Sequence, residues 1–204
     1  MSTITRTKPV SLLAGLDWVP SHLYRITLEQ YEAMIASGAF NKRDRVQLIN
    51  GYLVAKMTEL PAHGAACDAI HLTLEPLLPL GWYVRTERVI RIPNYASMPE
   101  PDVVVVRGNW RDYANRYPEP ADIAMVVEVA SSSLYEDRMM AVIHGAGGVP
   151  TYWIINLVDR QVEVYSDPFQ GGYQSRVEFK PGQAIPVVID GRHVGTIAVD
   201  DVLP

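Results

Sequence analysis

The chain has 204 residues, 48% of them hydrophobic, enough to build one sizeable core, and its formal net charge of −5 excludes an overall basic footprint for coating nucleic acid through counterion release. Its single cysteine, Cys67, excludes an internal disulfide, and no apolar run approaches the roughly 18 residues a membrane span requires. The opening MSTITRTKPV lacks the apolar stretch of a secretory signal, so a cytoplasmic setting is expected.

Residues 1–24 show no sustained hydrophobic period and read as an irregular arm, leaving 25–204 as one domain. Thr27 and Gln30 have the spacing of a capping box, and Leu28, Tyr31 and Ile35 share a helical face, which predicts a helix over 27–37 ending at Gly38. Asn50-Gly51 between two apolar runs predicts a hairpin over 45–56, because both residues tolerate positive φ. Ala66, Ile70, Leu74 and Leu77 recur at helical spacing, so 62–78 reads as a second helix. Strands follow at 82–91, 102–106 and in IAMVVEVA. A helix spans 134–146, YWIINL is a buried strand, and QVEVYSD, 173–179 and 185–189 complete a β-rich tail. This alternation predicts an α/β fold with a mixed central sheet flanked by helices.

The stretch SMPEPDVVVV places Glu100 and Asp102 directly before four valines that need burial on both faces. Glu128 is the single charge inside the next apolar strand, and a carboxylate there is costly unless it is paired or binds a cation. Two readings stay open at this point. Asp102 and Glu128 converge from neighbouring strands as a hard oxygen site for Mg²⁺ or Mn²⁺. Alternatively, Asp102 is a turn residue, and Glu128 pairs with an arginine or a backbone amide.

The ordered blocks PEPDVVVV, VVEVASSSLYEDR and GAGGVPTYWIINLVDRQVEVY, preceded by QLINGYLV and by His63 ahead of a helix, resemble the Uma-type family of restriction endonucleases. That family lies within the PD-(D/E)XK endonuclease-like superfamily, and the resemblance spans about residues 25–203. It implies a restriction-endonuclease-like core, hydrolysis of a DNA phosphodiester, and a Mg²⁺ or Mn²⁺ ion held by Asp102 and Glu128. It also implies DNA as partner and suggests a homodimer.

The chain departs from the family at three positions of that site. The hairpin carries Gln47 where the family has glutamate, and the helix after Glu128 carries Met140 at the lysine position and His144 at the tyrosine position. No lysine occurs between 57 and 179. Because the lysine orients water and offsets developing charge, its loss predicts a weakened or inactive nuclease. Arg138 could supply charge but not an ammonium's compact geometry or its proton exchange. His63 could shuttle a proton or bind metal at the edge of the site or be a helix-entry histidine in solvent, and His144 could stand in as a neutral base or be a partly exposed helix histidine with no special role. Tyr152 and Trp153 fit a packed strand, and Ser131, Ser132 and Ser133 a strand exit and helix cap. The alternative to a degenerate metal nuclease is a non-catalytic relative that binds nucleic acid or protein.

Overall fold

Val103, Val104, Val105 and Val106 are fully buried because they form a strand covered on both faces. The computed structural model describes residues 23–41, 44–56 and 60–204, so the reading of 1–22 as an arm lies outside the described residues. The chain opens with α1 (Leu28–Ala36), whose N-terminus is closed by the expected Thr27/Gln30 capping box. The hairpin β1 (Val46–Ile49) and β2 (Tyr52–Ala55) follows, then α2 (Pro61–Leu74) and β3 (Trp82–Thr86). Next come β4 (Val103–Arg107), β5 (Ile123–Ala130), α3 (Leu134–Gly147) and β6 (Thr151–Asn156). The tail holds β7 (Gln161–Phe169), β8 (Gly172–Phe179), β9 (Ala184–Ile189) and β10 (Arg192–Ala198).

Strands β3 to β8 form one six-stranded sheet in chain order, while β1–β2 and β9–β10 pair separately. Within the large sheet only β5 and β6 run parallel, and α3 is the crossover between them. The sheet is therefore mixed, as expected. On one face α2 brings Ala66, Ile70 and Leu74 against Val103, Val105, Val127 and Trp153, joined by Ile185, Val187 and Ile197 from the β9–β10 hairpin. On the other, Ala141 of α3 packs with Val104, Val106, Val126, Tyr152 and Ile154. A smaller cluster of Leu28, Tyr31, Leu48 and Met98 fixes α1 and the first hairpin to the segment leading into β4.

The structure corrects two boundaries and adds a strand. The strand expected over 82–91 stops at Thr86, because Glu87 adopts a φ of 48° and turns the chain. The helix expected over 62–78 leaves α geometry after Leu74 and tightens into a 3₁₀ turn over Glu75–Leu77. Pro76 within that turn has no amide to donate. β10 was not anticipated, although Asp190-Gly191 between β9 and β10 carries the same positive-φ signal as Asn50-Gly51.

Candidate active site

The ladder between β4 and β5 ends with Val103 opposite Val127, which puts Asp102 opposite Glu128 just beyond it. There the side chains take over the backbone pairing. The Asp102 amide donates to Glu128 Oε2 at 3.1 Å, and the Val129 amide donates to Asp102 Oδ2 at 2.8 Å. The two acids thus meet at one strand mouth. The acids converge, and Glu128 also accepts a backbone amide, as the alternative reading of it expects.

The first hairpin delivers a cation to the pair. Met98 donates its amide to Leu48 O at 2.7 Å and Asn50 donates to Ser97 Oγ at 2.8 Å, docking the hairpin beside the 97–102 segment. Lys56, one residue past β2, then places Nζ 3.1 Å from Asp102 Oδ1 and 3.0 Å from Glu100 O. Gln47 occupies the neighbouring position, its Oε1 accepting the Glu100 amide at 3.1 Å. From the other side α2 offers His63, with Nε2 3.0 Å from Asp102 Oδ2 and Nδ1 3.5 Å from Cys67 Sγ. With its proton on Nε2, His63 donates to Asp102 and accepts from the Cys67 thiol.

Charge is unevenly shared in this group. Burial opposes ionisation of Asp102, but the His63 hydrogen bond and the Lys56 charge outweigh it and hold its pKa below the usual carboxylate value. Glu128 is pushed well above its usual value by burial, Asp102 and Asp137, against a smaller pull from Lys56. Asp102 therefore carries the charge and Glu128 takes the proton first. Burial lowers the Lys56 pKa, but Asp102 and Glu128 raise it further, so the ammonium stays charged. A third acid, Asp137 in the first turn of α3, is raised to about 6, chiefly by burial. Ser133 Oγ donates to it at 2.6 Å.

The remaining candidates lie elsewhere. Met140 is half-buried against the α3 face of the core. His144 is fully buried and stacked on Tyr152 at 4.9 Å, and neither ring nitrogen has a hydrogen-bond partner among the described residues. Arg138 is committed to Glu163, with Nε 3.1 Å from Oε2 and Nη2 bonded to Oε1. Tyr152 and Trp153 are buried as expected. Ser133 is the residue before α3, although its side chain bonds Asp137 and not a helix amide.

Lys56, Cys67 and Asp137 were missed as site residues. Lys56 is 84 residues from Met140 in sequence and reaches the acids only through hairpin docking. The sequence held no signal that separates Asp137 from its neighbour Glu136, since both acids lie in the first turn of α3 and only the fold turns Asp137 inward while Glu136 stays exposed.

The family profile of Uma2, described as "Putative restriction endonuclease", matches residues 28–193. The chain belongs to the Uma2 family. No curated protein matches it. A solved structure, that of a putative nuclease belonging to DUF820 from Anabaena variabilis, aligns with a TM-score of 0.67 at 16% identity. The alignment covers 87% of this chain and 97% of that one, and it shows a shared fold. In this Uma2 chain two donor sets are available to a metal. Asp102 and Glu128 offer hard carboxylate oxygens suited to Mg²⁺ or Mn²⁺. His63, Cys67 and Asp102 offer ligand atoms within 4.8 Å of one another, a borderline-soft set suited to Zn²⁺. No described helix is long and apolar enough to cross a membrane.

Proposed function

We propose that this chain is a divalent-metal-dependent hydrolase of DNA phosphodiester bonds, with Asp102 and Glu128 as metal ligands and Lys56 as the cation beside the reacting phosphate. The observation that carries the reading is Lys56 Nζ at 3.1 Å from Asp102 Oδ1, on the acid that itself contacts Glu128. A bound Mg²⁺ or Mn²⁺ would polarise the phosphate and lower the pKa of the attacking water. Glu128 gives up its proton when the ion binds, so binding weakens as pH falls. Lys56 replaces through space the lysine absent at Met140. It holds an ammonium where charge develops on the phosphate. His63 orients the Asp102 carboxylate, and Gln47 braces the Glu100 backbone without adding charge.

The expectation of a crippled enzyme therefore changes to that of an active one. Plasmid DNA incubated with Mn²⁺ should be cleaved by the parent and not by Glu128→Ala prepared identically. Lys56→Met should cost on the order of 10²–10³ in rate, the usual loss for one preorganised donor or charge. Cleavage that persists unchanged in Glu128→Ala would assign it to a contaminant. Absence of cleavage of both single- and double-stranded DNA by the parent would overturn the hydrolase reading in favour of a binding scaffold. The thiol-containing donor set supports a second reading, a Zn²⁺ site at His63, Cys67 and Asp102. Calorimetry separates the two, since Cys67→Ser should abolish Zn²⁺ binding and leave Mn²⁺ binding intact.

A further inference from the structure

A cleft of about 410 Å³ runs past Gln47, Lys56, Glu87, Arg88 and Glu100. A second cleft, of about 260 Å³, is lined by Tyr83, Arg85, Thr86, Arg88 and Trp110, so Arg88 is a wall of both. Tyr83 and Arg85 stand on one face of β3, opposite Val106 and Val104 of β4. Asp102 lies two residues before Val104. Arg85 is therefore one strand over from the carboxylate pair and about 7 Å along the strand direction.

Two side-chain atoms on residues that line this second cleft need a partner. Tyr83 Oη and Arg85 Nη1 are both buried and make no hydrogen bond to any described residue. A buried donor on a charged group is expensive to leave unmade, and such groups in folded proteins point to a ligand or solvent acceptor. The cleft also has an aromatic edge. Trp110 is 64% exposed, with the Arg111 guanidinium over its ring at 4.3 Å. Asp112 satisfies neither atom: its Oδ2 accepts from Asn109 N at 2.8 Å and Asn109 Nδ2 at 2.9 Å, and neither Arg85 Nη1 nor Tyr83 Oη bonds it. Arg85 instead lies over the Tyr113 ring, at 5.2 Å from its centroid.

An unpartnered guanidinium N–H and phenol call for an anionic oxygen, and an exposed indole beside them calls for a flat ring. One ligand class carries both at this spacing and continues into the cleft beside Lys56. We infer that the Tyr83–Arg85–Arg88–Trp110 cleft binds one nucleotide of a single-stranded stretch of the DNA substrate, adjoining the bond at Asp102 and Glu128. Its phosphate sits on Arg85, Tyr83 and Arg88, and its base stacks on Trp110. The inference rests on the hydrolase reading for the identity of the neighbouring site. Its own contacts do not involve metal.

The test is fluorescence anisotropy of a labelled 12-nucleotide single-stranded DNA with the full chain in excess chelator, which removes metal from the measurement. The parent should bind, and Trp110→Ala and Arg85→Gln should each weaken binding about tenfold or more, the scale expected for one stacked base. A probe with one abasic site placed for the cleft should lose its sensitivity to Trp110→Ala. Absence of binding by the parent overturns the proposal, as does binding that Trp110→Ala and Arg85→Gln leave unchanged while circular dichroism shows both folded. Trp110 is exposed, so its substitution does not threaten the fold. If Mn²⁺-dependent cleavage requires Glu128 but binding ignores the cleft variants, this inference fails and the hydrolase reading stands. If the variants lose binding while the parent never cleaves, the cleft stands and the hydrolase reading fails.

Discussion

His144, the residue expected at the family's tyrosine position, has its ring sealed in the core with both nitrogens unbonded to described residues. Burial alone lowers its pKa to about 3. In the unfolded chain the same ring protonates near 6.5, so between these values the unfolded state binds more protons and stability falls as pH drops. His144→Phe keeps the stack on Tyr152 and removes the titration. The variant should gain about 2 kcal/mol over the parent at pH 5 and much less at pH 8, read as urea midpoints at the two pH values. Glu163 shows the opposite sign. Burial works against its ionisation, yet Arg138, Tyr165 and Asn156 all donate to it and Arg176 adds charge, leaving its pKa at about 2. The stability this ion contributes is present above the unfolded value near 4.5 and is lost as pH falls towards 2. Glu163→Gln should flatten that acid loss. At neutral pH it should cost about 2–3 kcal/mol, below the usual range for a broken buried pair because Arg138 and Arg176 are partly exposed and screened.

At the scale of elements, the positions of α3 and the first hairpin depend on two close approaches. Gly145 of α3 packs so tightly on β8 that a Cβ would fall 2.2 Å from Gly172 O. Gly145→Ala must push α3 off the sheet and should cost about 1–3 kcal/mol, the usual range for overpacking, with the urea midpoint as readout. Gly51 closes the first hairpin at a φ of 79°, and a Cβ there would meet Arg25 Cβ at 2.7 Å. This hairpin carries both Gln47 and Lys56, so Gly51→Ala should disturb chemistry more than global stability. Its Mn²⁺-dependent cleavage should drop towards that of Lys56→Met while its thermal midpoint moves by only a few degrees. An unchanged cleavage rate would show that Lys56 tolerates hairpin movement and is not held in place by docking.

For the molecule as a whole, the carboxylate pair carries a stability cost that the proposed metal site would offset. Two acids at one strand mouth repel, and a cation between them relieves that cost, so a divalent ion should stabilise the entire fold by mass action. Millimolar Mn²⁺ should raise the thermal midpoint of the parent. The shift should shrink as pH is lowered from 8 to 5, because the proton on Glu128 competes with the ion. Asp102→Asn keeps an acceptor for the Val129 amide and should fold, yet it should lose the shift. An equal shift in that variant would remove Asp102 from the ligand set.

The parts governed by local rules were legible in the chain. Thr27 and Gln30 close α1, Asn50-Gly51 turns the first hairpin, the four valines demand burial on both faces, and Glu128 stands out as a charge in an apolar strand. Period and turn chemistry are properties of neighbouring residues, so they can be read without the fold. What depends on distant segments meeting came only with the fold. Lys56 and Asp102 are 46 residues apart and touch only because Leu48 and Asn50 dock on Met98 and Ser97. Arg138 had the right charge and sequence position, but Glu163 from β7 binds it. The end of β3 at Glu87 and the open donors of Tyr83 and Arg85 were likewise invisible, because no local pattern records which acceptor a folded neighbour supplies or withholds.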